Sequence, residues 1–420
     1  MTVKVYPFAA CGSVVAPPSK SFAHRYLIVA ALKKGRTVVK NIGSSADVMR
    51  TCDCLTALGA KITIENGNAV VYGIEKNFGE EVFVLNAGES GSTLRFLMPV
   101  VAALGKKAKF VCEKSLLSRP VEELVSVLIS HGAKIEKLAD GYSVSGKIGF
   151  GEYVLSGGIS SQYASGLALA LSLLSGRSSI AFTGEPVSES YFDMTCSVLS
   201  NAGIKHKKEG YKSIIEGECD YNLPDEVVCH GDFSASAYLL CLGAVCGDVT
   251  VTGVEKDEQG DGEIVDILKK IGAEVTAGKN YVRVKKRDIK PATINCSSVP
   301  DLVPALCAAL CFADGESVLK GISRLKFKES DRVKACVEMC GKLGATAELS
   351  GDDLIIRGGN LKGGAMLNGY GDHRMVMAGV IAAAGLKEAC YITDAEKVDK
   401  SYPDFFKAIT CLGGKIDVSV

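Results

Sequence analysis

The chain has no excess of charge of either sign: 48 Lys and Arg stand against 48 Asp and Glu, and the isoelectric point is near 6.9. That balance argues against nonspecific binding to nucleic acid or to an anionic membrane surface as the main activity. Long apolar runs are also missing. The apolar stretches cover about 10–13 residues, too few to cross a bilayer, and so read as core helices of a soluble protein. The N-terminus, MTVKVYPFAACGS, lacks a basic segment followed by a continuous apolar one, so it is not a secretory signal and a cytoplasmic location is expected. The sixteen cysteines include no C-x-x-C pair and the five histidines are scattered, which leaves no expected metal site. Without a secretion signal, reduced thiols are favoured over a disulfide scaffold. Cys241, Cys246, Cys307 and Cys311 fall inside apolar stretches, where Cys acts as a small hydrophobe. No low-complexity or Pro-rich linker divides the chain.

What is present is a repeat. Six apolar stretches run into Gly35, Gly105, Gly176, Gly247, Gly315 and Gly385, about every 70 residues. A second set keeps step: LTALGAKI, LISHGAKI, LSNAGIKH, LKKIGAEV, CGKLGATA and ITCLGGKI, closed by Gly59, Gly132, Gly203, Gly272, Gly344 and Gly413. Each unit therefore has a buried helix and an amphipathic helix ended by Gly. Between them lie β-branched runs such as TVVKNI, AKFVCE, DVTVTGV and ESVLKGI. The unit reads as β-α-β-α-β-β, giving a mixed α and β (α+β) protein with helices buried under sheets. Six units divide into three and three, with a break within YNLPDEVVCHGD (221–232). The alternative, a continuous solenoid, is disfavoured by the absence of polar capping repeats.

Polar segments precede the buried helices: PPSKSFAH, GESGST, GGISSQ, GDFSA, SVPD and GYGDHR. Helix N-termini present unpaired N–H groups and partial positive charge, so several converging would bind anions. Cations stand at the mouths, Lys20, Arg25, Arg95 and Arg119 in the first half, Lys328, Arg332, Arg374 and Lys400 in the second, with few acids expected between them. Arg374 has no structural need there, Pro120 takes the first position of a helix, and Ser330 is a candidate cap with Asp331 in the first turn. The pattern implies a small polyanion held between two domains that close on it.

PPSKSFAHR, AGESGSTLRF, SRPVEEL, SSQY, SVPDLVPAL, KESDR, GDHRM and KSYPDFF, in this order, resemble the 5-enolpyruvylshikimate-3-phosphate synthase family from end to end. The resemblance implies a monomer of two globular domains, 1–17 with 230–420 and 18–229, with the active site in the cleft between them. It implies transfer of the enolpyruvyl group of phosphoenolpyruvate to the 5-hydroxyl of shikimate 3-phosphate, without metal or organic cofactor. Lys20, Gly91, Arg119, Gln162, Arg332, Arg374 and Lys400 match phosphoenolpyruvate contacts. Lys20, Ser21, Arg25, Ser160, Ser161, Gln162, Ser188, Tyr191, Asp301 and Lys328 match shikimate-phosphate contacts. Asp301 matches the base for the hydroxyl and Glu329 the proton donor to the methylene, with Lys20 assisting both. Glu89, Ala23, Arg324 and Lys326 depart from the common family residues.

Two other readings share the repeat. One is the sister transferase acting on UDP-N-acetylglucosamine, whose reactive Cys would fall five residues before Arg119, where this chain has Lys114. The other is a repeat-built binding protein without catalysis, which needs no acid/base pair.

Overall fold

The computed structural model describes residues 1–74, 81–158, 160–185 and 188–419; Ile159, within GGISSQ, lies outside the described residues. Among them are six four-stranded sheets of one topology. The second repeat shows the pattern: strand Val82–Gly88, helix, strand Lys107–Cys112, helix, then the hairpin Ala133–Leu138 and Gly141–Gly146. Its first two strands pair in parallel, the second and fourth antiparallel, and the hairpin strand forms the far edge. The other five sheets repeat this order, so the β-α-β-α-β-β unit read from the sequence is the unit of the fold.

The helices used below are α1 (Lys20–Leu32), α2 (Ala46–Ala57), α3 (Gly91–Leu104), α4 (Ser161–Leu171), α5 (Glu189–Asn201), α6 (Phe233–Cys246), α7 (Val303–Leu310), α8 (Arg332–Leu343) and α9 (His373–Ala384). In α6 every residue but Ser234 is buried. Such all-round apolarity suits a helix enclosed by its own domain. Truncating one of its leucines costs about 2–5 kcal/mol. The glycines closing the amphipathic helices have φ of 101°, 110°, 77°, 92°, 90° and 92° at positions 59, 132, 203, 272, 344 and 413. All six take the left-handed conformation that a side chain disfavours, which is why the sequence keeps Gly there.

The chain forms two compact units, one of Met1–Pro17 with His230–Val420, the other of Pro18–Cys229. Each has its own hydrophobic core. The discontinuity is written into the sheets. Strand Ala10–Val15 opens the sheet of the fourth repeat by pairing with Gly247–Thr252, yet the chain runs on from it into α1 of the other unit. Conversely, strand Glu226–Val228 pairs with Arg36–Lys40 in the first repeat and runs on towards α6. Strand Thr2–Val5 lies inside the sixth sheet, between Cys390–Ile392 and Ile416–Ser419.

All sixteen cysteines are free thiols. Cys307 and Cys311 on α7 meet Cys340 on α8, with Sγ–Sγ distances of 3.3 and 3.5 Å, inside the core of the first unit. Among the described residues no helix is long and apolar enough to cross a membrane.

Candidate active site

In the 18–229 unit the residues marked by the sequence stand at the N-terminal ends of α1, α3, α4 and α5. Ser19 caps α1 by accepting from the Phe22 N–H, which makes Lys20 the first helical residue. A cation here opposes the helix dipole. The protein supplies an anion: Lys20 Nζ lies 2.9 Å from Oδ2 of Asp47, a buried carboxylate in the first turn of α2. The sequence reading did not single out Asp47, which is 27 positions from its partner.

Arg25 is only 2 % exposed. Its guanidinium donates to Thr195 Oγ1 (2.7 Å), Ser165 Oγ (3.2 Å) and the carbonyls of Ser21 and Tyr191 (both 2.7 Å). It lies over the Phe96 ring at 4.9 Å. Burial pulls it down to about 10, which still leaves it charged at neutral pH. Arg25 thus ties α1 to α4 and α5, and fixes Ser21 and Tyr191 through their backbones. Ser188, at the cap of α5, is buried and holds φ of 52°, an unusual conformation for Ser. Ser160 caps α4 by accepting from Gln162 N, and Ser161 follows as its first residue.

At α3, Ser90 caps and Gly91 begins the helix. Arg95 Nη1 donates to Gln162 Oε1 at 2.7 Å, while Gln162 Nε2 donates to Ser92 Oγ at 3.1 Å. Arg95 therefore orients the Gln162 amide. The close approach of α3 and α4 has a sequence cause. Pro99 cannot donate to the Arg95 carbonyl, and a methyl group at Gly166 would fall 2.1 Å from that oxygen. Pro120 does not begin a helix as the sequence suggests; it precedes the cap Val121 of helix Glu122–Ser130. Its carbonyl accepts from Arg95 Nη2 and Tyr163 Oη, both at 2.7 Å, and so holds the segment carrying Arg119. A methyl group at Gly91 would lie 2.8 Å from Arg95 Nη1 and 3.1 Å from Arg119 Nη1. Two guanidinium groups thus press on one glycine at a helix start. Glu89 accepts from Ser115 Oγ at 3.3 Å.

In the other unit the site is built around Arg332, the first residue of α8 and 1 % exposed. Nε lies 2.8 Å from Asp372 Oδ2, Nη1 2.9 Å from Asp301 Oδ1, and Nη2 2.7 Å from Glu329 Oε2. Burial disfavours its charge, but Asp372, Glu329 and Asp301 outweigh that and hold it above the ordinary arginine value. Asp301 also meets Lys328 Nζ at 3.2 Å and Arg374 Nη2 at 3.1 Å. Burial alone would raise its pKa; Arg374, Lys328 and Arg332 overcome this and hold the carboxyl well below the usual range. Burial lowers the Lys328 ammonium below the ordinary lysine value, against the pull of Asp301.

Three expectations are corrected here. Acids are not sparse: Asp301, Glu329 and Asp372 interleave with Lys328, Arg332 and Arg374. Arg374 has structural partners, donating to the Asp301 carbonyl (2.9 Å) and to Ser234 Oγ (2.7 Å), the half-buried exception on α6. Asp331, not Ser330, caps α8, accepting from Lys334 N at 3.1 Å, and Ser330 donates to Asp372 instead. Lys400 is buried at the end of the 3-10 turn Ala395–Lys400.

The family model for EPSP synthase (3-phosphoshikimate 1-carboxyvinyltransferase) matches residues 9–409. The chain belongs to this family. It is 37 % identical to the 3-phosphoshikimate 1-carboxyvinyltransferase of Clostridium kluyveri over 422 aligned residues, covering 99 % of this chain and 98 % of that one. It is 33 % identical to the protein of the same name from Clostridioides difficile, with the same coverage. EPSP synthase from Acinetobacter baumannii superposes with a TM-score of 0.84 at 24 % identity, covering all of both chains. The enolpyruvyl transferase NikO from Streptomyces tendae gives 0.79 at 15 % identity, over 99 % of this chain and 98 % of that one. These two show the shared fold. Among EPSP synthases the sister-transferase and binding-protein readings are not favoured.

Proposed function

We infer that the chain is a 3-phosphoshikimate 1-carboxyvinyltransferase of the shikimate pathway, transferring the carboxyvinyl group of phosphoenolpyruvate to the 5-hydroxyl of shikimate 3-phosphate. The family match over residues 9–409 carries this conclusion. The methylene carbon gains a proton, the hydroxyl oxygen bonds to the adjacent carbon, and the hydroxyl proton leaves. The tetrahedral intermediate then loses a methyl proton and its C–O bond to phosphate, releasing inorganic phosphate and restoring the double bond. A coupled phosphate-release assay with both substrates tests this; release that does not depend on shikimate 3-phosphate would overturn it.

We assign Asp301 as base for the hydroxyl and Glu329 as acid for the methylene. In support, one buried guanidinium holds both carboxylates, and three cations keep Asp301 ionised. Lys20 assists both transfers. Ser21, Arg25, Ser160, Ser161, Gln162, Ser188, Tyr191 and Lys328 are assigned to shikimate 3-phosphate, and Gly91, Arg119, Arg374 and Lys400 to phosphoenolpyruvate. Arg332 is assigned to phosphoenolpyruvate as well; its bonds to Asp372, Asp301 and Glu329 use four of its five N–H donors.

Gly91→Ala tests the wall near Arg119. The added methyl group displaces the Arg95 and Arg119 guanidinium groups, the first of which is pinned by Gln162. The expected result is a KM for phosphoenolpyruvate raised about tenfold, as for loss of one charge-assisted hydrogen bond, with an unchanged unfolding midpoint. An unchanged KM removes this wall from the site. Arg119→Ala is expected to weaken phosphoenolpyruvate binding about 10- to 100-fold, measured by titration calorimetry with shikimate 3-phosphate present. Unchanged affinity rules the assignment out.

A further inference from the structure

We propose that Asp372 is a positioning residue for the Asp301–Glu329 pair, an inference that rests on the functional reading above. Asp372 is completely buried, so it acts through other groups. Its carboxylate accepts four hydrogen bonds: Oδ2 from Ser330 Oγ (3.0 Å) and Arg332 Nε (2.8 Å), Oδ1 from Arg332 Nη2 (3.2 Å) and the Arg374 N–H (2.9 Å). Three of these fasten the start of α8, and the fourth caps α9.

The consequence follows from the guanidinium itself. It is planar, with five N–H donors in a fixed fork. Asp372 grips the Nε/Nη2 edge with both oxygens, which sets the plane and leaves Nη1 aimed at Asp301 and the second Nη2 hydrogen at Glu329. Asp301 lies just ahead of α7, Glu329 ahead of α8 and Asp372 at the cap of α9. The separation of the proposed base and acid thus depends on one side chain gripped from behind by a carboxylate on a third helix. A capping role alone does not require the charge. Ser19, Ser90 and Ser160 cap α1, α3 and α4 with hydroxyls, and Asn caps as well as Asp. What needs an anion at 372 is Arg332.

Asp372→Asn separates the two roles. The amide keeps the volume and can still cap α9, but it lacks the charge and turns a donor towards Arg332 or Ser330. Turnover is expected to fall roughly 10- to 100-fold, as for misplacement of reacting groups, while the KM for shikimate 3-phosphate stays within about threefold, since the residues assigned to that substrate stand mainly on α1, α4 and α5. In a Glu329→Gln background the further loss from Asp372→Asn should be smaller than in the wild type, reduced to the part that acts through Asp301, because the acid to be positioned is already gone. Wild-type turnover in Asp372→Asn overturns the proposal, and so do losses that multiply in the double variant. If Asp372→Asn does not fold, Ser330→Ala decides. It removes one bond to Asp372 at a half-buried position and should lower turnover about two- to fivefold without altering either KM; unchanged turnover counts against the proposal. The functional reading fails separately, in a wild-type enzyme that releases no phosphate.

Discussion

Glu329→Gln lowers turnover by roughly 100- to 10,000-fold, the range for a positioned general acid, and leaves the affinity for shikimate 3-phosphate nearly intact. The amide preserves the shape of the carboxyl and can still accept from Arg332, whose Nη2 now lies 2.7 Å from Glu329 Oε2. What disappears is the transferable proton. Steady-state phosphate release with both substrates saturating measures the first part, and titration calorimetry the second. Near-normal turnover would mean that Lys20 or a water delivers the proton, and the acid role would pass from Glu329.

The second large effect is that of Asp301→Asn, which acts on catalysis and on stability together. Turnover falls by a similar factor, roughly 100- to 10,000-fold, because an amide cannot take the hydroxyl proton. The change also leaves Arg332, Arg374 and Lys328 without an anion they share. Losing one partner of a buried ion pair costs on the order of 3 kcal/mol, read as a lower urea midpoint at pH 7. The acid dependence has a definite sign. Asp301 and Asp372 both have carboxyls held below their usual range in the folded chain. The stability they contribute is therefore complete above the unfolded value of about 3.9 and is lost as pH falls through the lower folded values. Asp301→Asn lacks its share at every pH, so the variant starts lower at pH 7 and falls less steeply below about pH 4. Parallel acid unfolding of the variant and wild type would show that Asp301 is not the ionised hub described here.

Much of the fold is legible in the sequence because its signals are local. Closing glycines, periodic apolar stretches and β-branched runs all lie within one repeat, and Gly59, Gly132, Gly203, Gly272, Gly344 and Gly413 all hold positive φ. The candidate site is legible only in part. Cations ahead of apolar helices stand out in a sequence, but the carboxylates that answer them do not. Asp47 meets Lys20 across 27 positions and Asp372 meets Arg332 across 40, and only tertiary packing brings them together. Asp372 could have been suspected, since an Asp two residues before an Arg at the start of an apolar helix is a cap. Ser234 gave a fainter hint as a polar residue in the first turn of a largely apolar helix. Pro120 misled for a related reason: Pro suits a first helical turn, and nothing local shows that Arg95 and Tyr163 claim its carbonyl instead.

The exchange of strands at the two crossings orders events during synthesis. Strand Thr2–Val5 has as neighbours Cys390–Ile392 and Ile416–Ser419, which are made long after it. Val3 and Val5 are fully buried in the finished protein, so they wait exposed or in temporary contacts until those strands are made. Ala10–Val15 waits for Gly247–Thr252. Pro18–Cys229 is contiguous and carries its own closing strand, so it can fold while its flanks are still incomplete. At about 5–20 residues per second this interval lasts on the order of ten seconds or more. A domain completed first, with the apolar strands Thr2–Val5 and Ala10–Val15 still unpaired ahead of it, is the vulnerable species on the path to the native chain.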